Sequence, residues 1–220
     1  NQHYLLMLYV FEVSWYNLIN LIKLSIYKNI FTLIIIEKMT NITIHDKQFK
    51  KFIDSNVIET KVSDIANLIN NDYKNKSPVI LCVLKGSFMF FSDLIKKLTI
   101  DCSISFIQLK SYENTSSTGD VKEIVGLNDS IENKDVIIIE DIVDTGTTYN
   151  FLLNYLSKHN PSSLKIATLF FKSSVYLKKF KNPPDYFAFD IPNKFIVGYG
   201  LDYNQLGRNY SEIYELVNEA

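Results

Sequence analysis

The chain has 220 residues, enough for one domain with a sizeable core and an appended piece. Its 23 basic and 24 acidic residues leave a formal charge of −1, which offers no global attraction to nucleic acid or an anionic membrane. Cys82 and Cys102 each lie in an apolar segment, so they read as free thiols in a reducing compartment, the cytoplasm, and His3, His45 and His159 show no metal-ligand spacing.

Residues 1–38 are rich in Leu, Ile, Tyr, Phe and Asn, but Glu12, Lys23, Lys28 and Glu37 leave no uncharged run longer than Asn1 to Phe11. A spanning helix needs roughly 18 to 20 apolar residues, and a secretory signal needs a basic start and a small-residue cleavage site. Neither is present. The segment is expected to be upstream sequence translated with the gene, with Met39 the natural start and residues 39–220 the working domain. An interfacial or organelle-targeting extension is the alternative.

Ile58, Val62, Ile65, Leu68 and Ile69 form one face of an amphipathic helix. Pro78 then opens Val79-Ile80-Leu81-Cys82-Val83-Leu84, a continuous apolar run that suits a strand covered on both faces. It ends in Lys85-Gly86-Ser87, after which Phe88, Phe91, Leu94, Ile95 and Leu98 recur at helical spacing. A cation in a small turn between strand and helix marks an anion site. Cys102 to Leu109 alternates as an edge or half-exposed strand, and the polar stretch from Lys110 to Asp120 reads as a surface loop or a lid.

Residues 136–156 are the most informative stretch. Val136-Ile137-Ile138-Ile139 runs straight into Glu140 and Asp141, then Ile142-Val143-Asp144 and the turn Thr145-Gly146-Thr147-Thr148, after which Phe151, Leu152, Tyr155 and Leu156 mark a helix. A buried strand thus ends in carboxylates, and amides 145–148 lie at a helix N-terminus, where unpaired N–H groups favour a phosphate. A ribose phosphate offers both the phosphate and the hydroxyls that two carboxylates would bind. A Walker B strand is excluded because no G-x-x-x-x-G-K-[ST] occurs in the chain.

Leu164 to Phe171 is another apolar run, ending at Lys172, so Lys85, the Glu140–Asp141 pair and Lys172 are expected to converge on one edge of the sheet. Lys178, Lys179 and Lys181 read as a solvated face. Gly198 and Gly200 form a lone G-x-G, too little for a dinucleotide fingerprint.

The stretch from Val136 to Thr148 resembles the phosphoribosyl pyrophosphate (PRPP) motif of type I phosphoribosyltransferases. With Leu84-Lys85-Gly86-Ser87, with Ser111-Tyr112 and Ser117-Thr118-Gly119-Asp120, and with the region from Lys172 to Asp202, residues 55–215 are similar to the hypoxanthine-guanine phosphoribosyltransferase family. The resemblance implies an α/β fold, a mainly parallel twisted sheet flanked by helices, with a small hood formed by the terminal parts of the domain. It implies transfer of the 5-phosphoribosyl group of PRPP to N9 of hypoxanthine or guanine, with magnesium (Mg2+) as cofactor and a homo-oligomer, dimer or tetramer, as the assembly. No nucleic acid or membrane partner is expected for the core domain.

The same resemblance implies the residue roles. Glu140 and Asp141 hold the ribose hydroxyls, directly or through Mg2+, and Asp202 holds a second Mg2+ through water. Asp144 faces purine N7 as the candidate catalytic base, while Thr145, Gly146, Thr147 and Thr148 cradle the 5-phosphate. Lys85, Gly86 and Arg208 contact pyrophosphate, with a cis peptide often preceding the lysine. Lys172 donates to purine O6, Phe195 stacks on the ring, the Ile196 backbone reads its N1 and N2 edge, and Ser111 and Tyr112 begin the lid. The chain departs from the family pattern at Lys61, Ala188, Asn193, which stands where Asp is common, and Gly207. Gly207 replaces an aromatic and puts the placement of Arg208 in question. A xanthine-using enzyme and a PRPP-sensing regulator are the rival expectations.

Overall fold

The computed structural model describes residues 23, 25–28, 41–111, 121–127 and 129–217. The chain divides into two compact units, Asn1–Ile42 and Thr43–Ala220. In the first, residues 23 and 25–28 are helical, and most of the segment expected to stand apart from the core falls outside the described residues.

The second unit is built on a six-stranded sheet in the order β5-β4-β3-β6-β7-β8, formed by β3 (Val79–Leu84), β4 (Ser103–Ser111), β5 (Val121–Val125), β6 (Asp135–Val143), β7 (Ser163–Phe171) and β8 (Tyr186–Asp190). Five of these strands run parallel, and β5 lies antiparallel to β4 on the edge. The uninterrupted Val and Ile runs arise from burial on both faces. Ile80, Cys82, Ile137 and Ile139 pack toward Ile58, Val62 and Ile65 of helix α1 (Ser55–Asp72) and Phe90, Phe91 and Leu94 of α2 (Phe88–Ile95). Their neighbours Val79, Leu81, Val136 and Ile138 pack toward Leu152 and Leu156 of α3 (Thr147–Ser157). Truncating a fully buried member such as Leu156 to Ala removes its contacts and leaves a cavity, at a cost of about 2–5 kcal/mol.

The expected helix faces are right in period and shifted in detail. In α1, Leu68 is 54% exposed and Ala66 is buried instead. In α2, Phe88 is 43% exposed while Phe90 takes the core position, and the helix closes at Ile95, short of Leu98. The carboxylates are also not the end of their strand: β6 continues to Val143, which pairs with Phe171 of β7 and is buried.

A smaller sheet in the order β1-β2-β10-β9 joins β1 (Ile42–Ile44), β2 (Lys47–Ile53), β9 (Ile196–Val197) and β10 (Ile213–Leu216), with β10 antiparallel to β2 and β9. Its residues thus come from near both ends of the unit. Glu215 of β10 stands opposite Lys50 and Ile196, buried, and binds both Lys50 (3.2 Å) and Lys194. This carboxylate and its two cations tie β2 to the turn that precedes Phe195.

Candidate active site

Parallel strands β3, β6 and β7 end on the same edge, so Leu84, Asp141 to Val143 and Phe171 deliver the Lys85 turn, the Asp144 loop and Lys172 to one place. The Leu84–Lys85 peptide is cis, and Lys85 is exposed without an ion-pair partner among the described residues. Gly86 meets the middle strand so closely that a Cβ there would lie 1.4 Å from Asp141 Oδ2. Gly200, at φ +101°, approaches Gly86 from the other side, where a Cβ would lie 2.0 Å from the Gly86 carbonyl oxygen. The Gly198–Gly200 segment is therefore a left-handed turn that lies against Gly86, which itself lies against Asp141. Tyr199, between the two glycines, donates from its hydroxyl to Asp93 Oδ2 of α2 at 2.6 Å.

Arg208 is held at two points. Nη1 donates to the Gly200 carbonyl at 2.6 Å, and Nη2 stands 2.6 Å from Asp202 Oδ1. The Gly200 amide donates back to the Arg208 carbonyl at 3.0 Å. Gly207 suits the local backbone there. Its φ of +97° is one that side chains disfavour, and a Cβ would sit 2.7 Å from Ile44 Cδ1.

Adjacent residues of a strand face opposite sides of the sheet, so Asp141 points to the face of α1 and α2 and Glu140 to the face of α3. Burial pushes the Asp141 carboxyl up to about 6, against the pull of the Ile142 amide (2.7 Å) and Arg208, while the Asp202 charge pushes it the same way as burial. Burial also raises Glu140, and the Asp141 charge beside it adds to the effect. Cys82, beneath them, is raised by burial to about 11, so it is a neutral thiol and no nucleophile at neutral pH.

Past β6 the chain turns through Asp144 and Thr145 into α3. Gly146 at φ +82° caps that helix, and a Cβ there would meet the Tyr176 and Phe180 rings at 2.6–2.7 Å. The first intrahelical bond runs from the Asn150 amide to the Gly146 carbonyl at 2.9 Å, so the amides of Thr147, Thr148 and Tyr149 have no intrahelical acceptor. The exposed hydroxyls of Thr145 and Thr147 lie 3.2 Å apart beside them. Amides, hydroxyls and the positive end of an 11-residue helix together make a site suited to a phosphate.

Lys172 comes directly after β7 and is buried, with Nζ 2.7 Å from Asp144 Oδ2 and donating to Asn193 Oδ1 at 3.2 Å. Phe195 is 45% exposed, edge-on to Tyr203 with centroids 5.8 Å apart and backed by Phe49 at 6.2 Å. Ile196 begins β9, paired with Glu215. Ser111 closes β4, and Tyr112 with the rest of the expected lid to Asp120 lies outside the described residues. The structure thus gathers Gly86, Asp141, Gly200, Asp202 and Arg208 in one group and Asp144, Lys172 and Asn193 in another. Sequence reasoning missed three contributors: Asn193, noted only as a departure, Gly200, whose G-x-G was noted for another reason, and Tyr199.

Among the described residues no three His, Cys, Asp or Glu side chains gather into a metal cage. A magnesium ion does not require one, because it takes one or two carboxylates and completes its octahedron with water and substrate oxygens. Asp141 and Asp202, whose charges act on each other, fit that pattern.

A parallel sheet with carboxylates beside a helix N-terminus at its carboxyl edge is the arrangement expected of a phosphoribosyltransferase, and residues 50–204 match the family model described as phosphoribosyl transferase domain. The hypoxanthine-guanine phosphoribosyltransferase of Streptococcus thermophilus is 40% identical over 166 residues, covering 74% of this chain and 91% of the relative. The Canis lupus familiaris enzyme of the same name is 39% identical over 175 residues, covering 74% and 79%. Among solved structures, a hypoxanthine-guanine phosphoribosyltransferase from Bacillus anthracis superposes with a TM-score of 0.72 at 38% identity, covering 76% of this chain and 98% of that one. The chain belongs to the hypoxanthine-guanine phosphoribosyltransferase family.

Proposed function

We propose that this phosphoribosyltransferase makes IMP or GMP by joining N9 of hypoxanthine or guanine to C1 of the PRPP ribose, releasing pyrophosphate. The observation that carries the reading is the Lys172–Asp144 pair: a buried ammonium facing a carboxylate at the edge of the sheet, within the same loop as the phosphate cradle. An ammonium has three donors and no acceptor, so it selects an oxygen at purine C6 over the amino group of adenine.

In this mechanism the 5-phosphate of PRPP lies on the amides and hydroxyls of Thr145 to Thr148. Glu140 and Asp141 take the ribose hydroxyls, and Lys85, Gly86 and Arg208 hold the pyrophosphate. Asp141 and Asp202, with Glu140 beside them, would hold magnesium, which would supply neutralisation of the charge on pyrophosphate. As the bond from C1 to pyrophosphate breaks, Phe195 holds the purine ring and Lys172 its O6, the Ile196 backbone reads the N1 and N2 edge, and N9 supplies the electron pair for the new bond. Asp144 accepts the proton from N7. The four-stranded sheet acts as the hood over the base, and the segment beginning at Ser111 and Tyr112 as a lid that keeps water from the ribosyl carbon.

The free cysteines support a cytoplasmic setting, and no helix among the described residues is long and apolar enough to cross a membrane. Exposed Phe88, Ile104 and Phe106 support a homo-oligomer, which light scattering of the purified protein would size. Residues 1–38 stand outside the catalytic domain in this reading.

Purified protein mixed with PRPP and magnesium, and with hypoxanthine, guanine, xanthine or adenine in turn, tests the function. Nucleotide from the first two and little from adenine is expected. No nucleotide from any oxopurine defeats the proposal, and xanthine as the preferred base corrects its substrate.

A further inference from the structure

Lys172 is fixed twice over, once through its backbone and once through its side chain. The backbone is set by β7 and β8: the Ile191 amide donates to the Phe171 carbonyl at 2.9 Å, and Ser173 donates from its hydroxyl to Asp190 Oδ2 at 2.6 Å. Those contacts leave a four-carbon side chain free to swing. Two acceptors stop it, Asp144 Oδ2 at 2.7 Å and Asn193 Oδ1 at 3.2 Å. Two of the three ammonium donors are thereby used, and one remains.

The two acceptors differ in what the reaction does to them. Asp144, in the role assigned above, becomes neutral when it takes the N7 proton, and its hold on the ammonium weakens at the moment O6 needs a fixed donor. The Asn193 amide does not titrate, so its oxygen keeps the same hold before and after proton transfer. Asn193 also stands on the turn where the Lys194 amide donates to the Pro192 carbonyl at 2.7 Å, two residues before Phe195. One hydrogen bond therefore joins the O6 donor to the segment that carries the stacking ring and Ile196.

We infer that Asn193 is a positioning residue for the 6-oxo group, holding the Lys172 ammonium on O6 and setting its distance from the ring-stacking segment. The inference rests on the functional reading above. It does not require Asn193 to touch the substrate, and it assigns to a residue that departs from the expected Asp the one property both share, a side-chain oxygen facing Lys172.

The test compares Asn193→Ala and Asn193→Asp with the wild type on hypoxanthine and on its 6-thio analogue, whose sulfur is a weak acceptor. For Asn193→Ala, kcat/KM on hypoxanthine falls about tenfold, the loss expected for a hydrogen bond to a charged group. On the thio analogue it falls by less than about threefold, and KM for PRPP is unchanged, because the charge-assisted bond to O6 is the interaction removed. Asn193→Asp keeps the acceptor and restores the hypoxanthine value to within about threefold. Equal losses on both bases, or a raised KM for PRPP, indicate general disturbance of the hood and overturn the inference. So does an active Asn193→Ala with unchanged selectivity. A wild type that makes no nucleotide from any oxopurine overturns the functional reading and this inference with it, which distinguishes the two failures.

Discussion

Replacing Asp141 by Asn should make the free protein more stable and the enzyme useless. Burial holds the Asp141 carboxyl at about 6, where an unfolded chain ionises near its ordinary 3.8. Between those values the folded state retains a proton the unfolded state has lost, so stability falls as pH rises through this window and is lowest once the folded carboxyl has ionised. A rise of about two pKa units is worth about 3 kcal/mol. The Asn side chain has nearly the same shape, still accepts from the Ile142 amide, and carries no charge to desolvate; it forfeits the attraction of Arg208, which trims the gain to about 1–3 kcal/mol. In a domain of this size that is a Tm higher by roughly 3–10 °C at pH 7.5. Calorimetry of both proteins from pH 3 to 8 should show the curves converging as pH falls below the unfolded value of 3.8, where Asp141 becomes protonated in both states, and separating up to about pH 6.5. The rise in Tm that PRPP with magnesium gives the wild type should be absent from the variant. A variant less stable than wild type at pH 7.5, or a difference independent of pH, would refute the reasoning.

Asp144→Asn should keep KM for PRPP within about threefold and lower kcat by about 10²–10⁴, because the amide cannot take the N7 proton; steady-state kinetics with varied PRPP will show it, and unchanged turnover removes Asp144 from that role. Lys172→Met should raise KM for hypoxanthine by tenfold or more while narrowing the preference over adenine, measured as the ratio of kcat/KM. Gly86→Ala places a methyl group on the Asp141 carboxylate and should abolish the Tm rise given by PRPP with magnesium, even if the protein still folds. Gly207→Phe, which restores the aromatic expected before Arg208, should destabilise this chain by about 1–3 kcal/mol in urea unfolding, since Ile44 occupies the space and φ is +97°.

The main sheet was legible because strands covered on both faces carry unbroken apolar runs: Val79–Leu84 in β3, Val136–Ile139 in β6 and most of Leu164–Phe171 in β7, with charged residues following each run toward the carboxyl edge where ligands bind. The smaller sheet was not. Of the residues in Lys47–Ile53 only Phe49 is fully buried, and three lysines with Gln48 leave too few apolar positions to show a period. Its strands also pair across most of the chain, as Leu216 does with Phe49, and nothing local signals such a pairing. Helix faces came out with the right period but two positions off at Leu68 and Phe88, where Ala66 and Phe90 are buried instead, because which of two nearby apolar residues is buried depends on where the helix meets its neighbours.

The same distinction separates the site residues that were read from those that were missed. Glu140, Asp141, Asp144 and Lys172 carry charge at the ends of apolar runs, and that is visible one residue at a time. Asn193, Tyr199 and Gly200 carry no such contrast. Their contribution is to fix a distance between segments: Asn193 from β7 to the Phe195 turn, Tyr199 from α2 to the turn at Gly198, Gly200 from that turn to Gly86. Catalysis on PRPP needs both kinds. In the proposed mechanism the charged groups supply the attraction for ribose, pyrophosphate and base, but Lys172 is buried and Asp141 partly so at a cost to stability, and each is useful only if the partner group arrives at hydrogen-bond distance. The uncharged connections set those distances before substrate arrives. A chain that kept every charged residue of this site and lost Gly200 or Asn193 would retain its recognisable motif and hold the same groups less firmly at those distances.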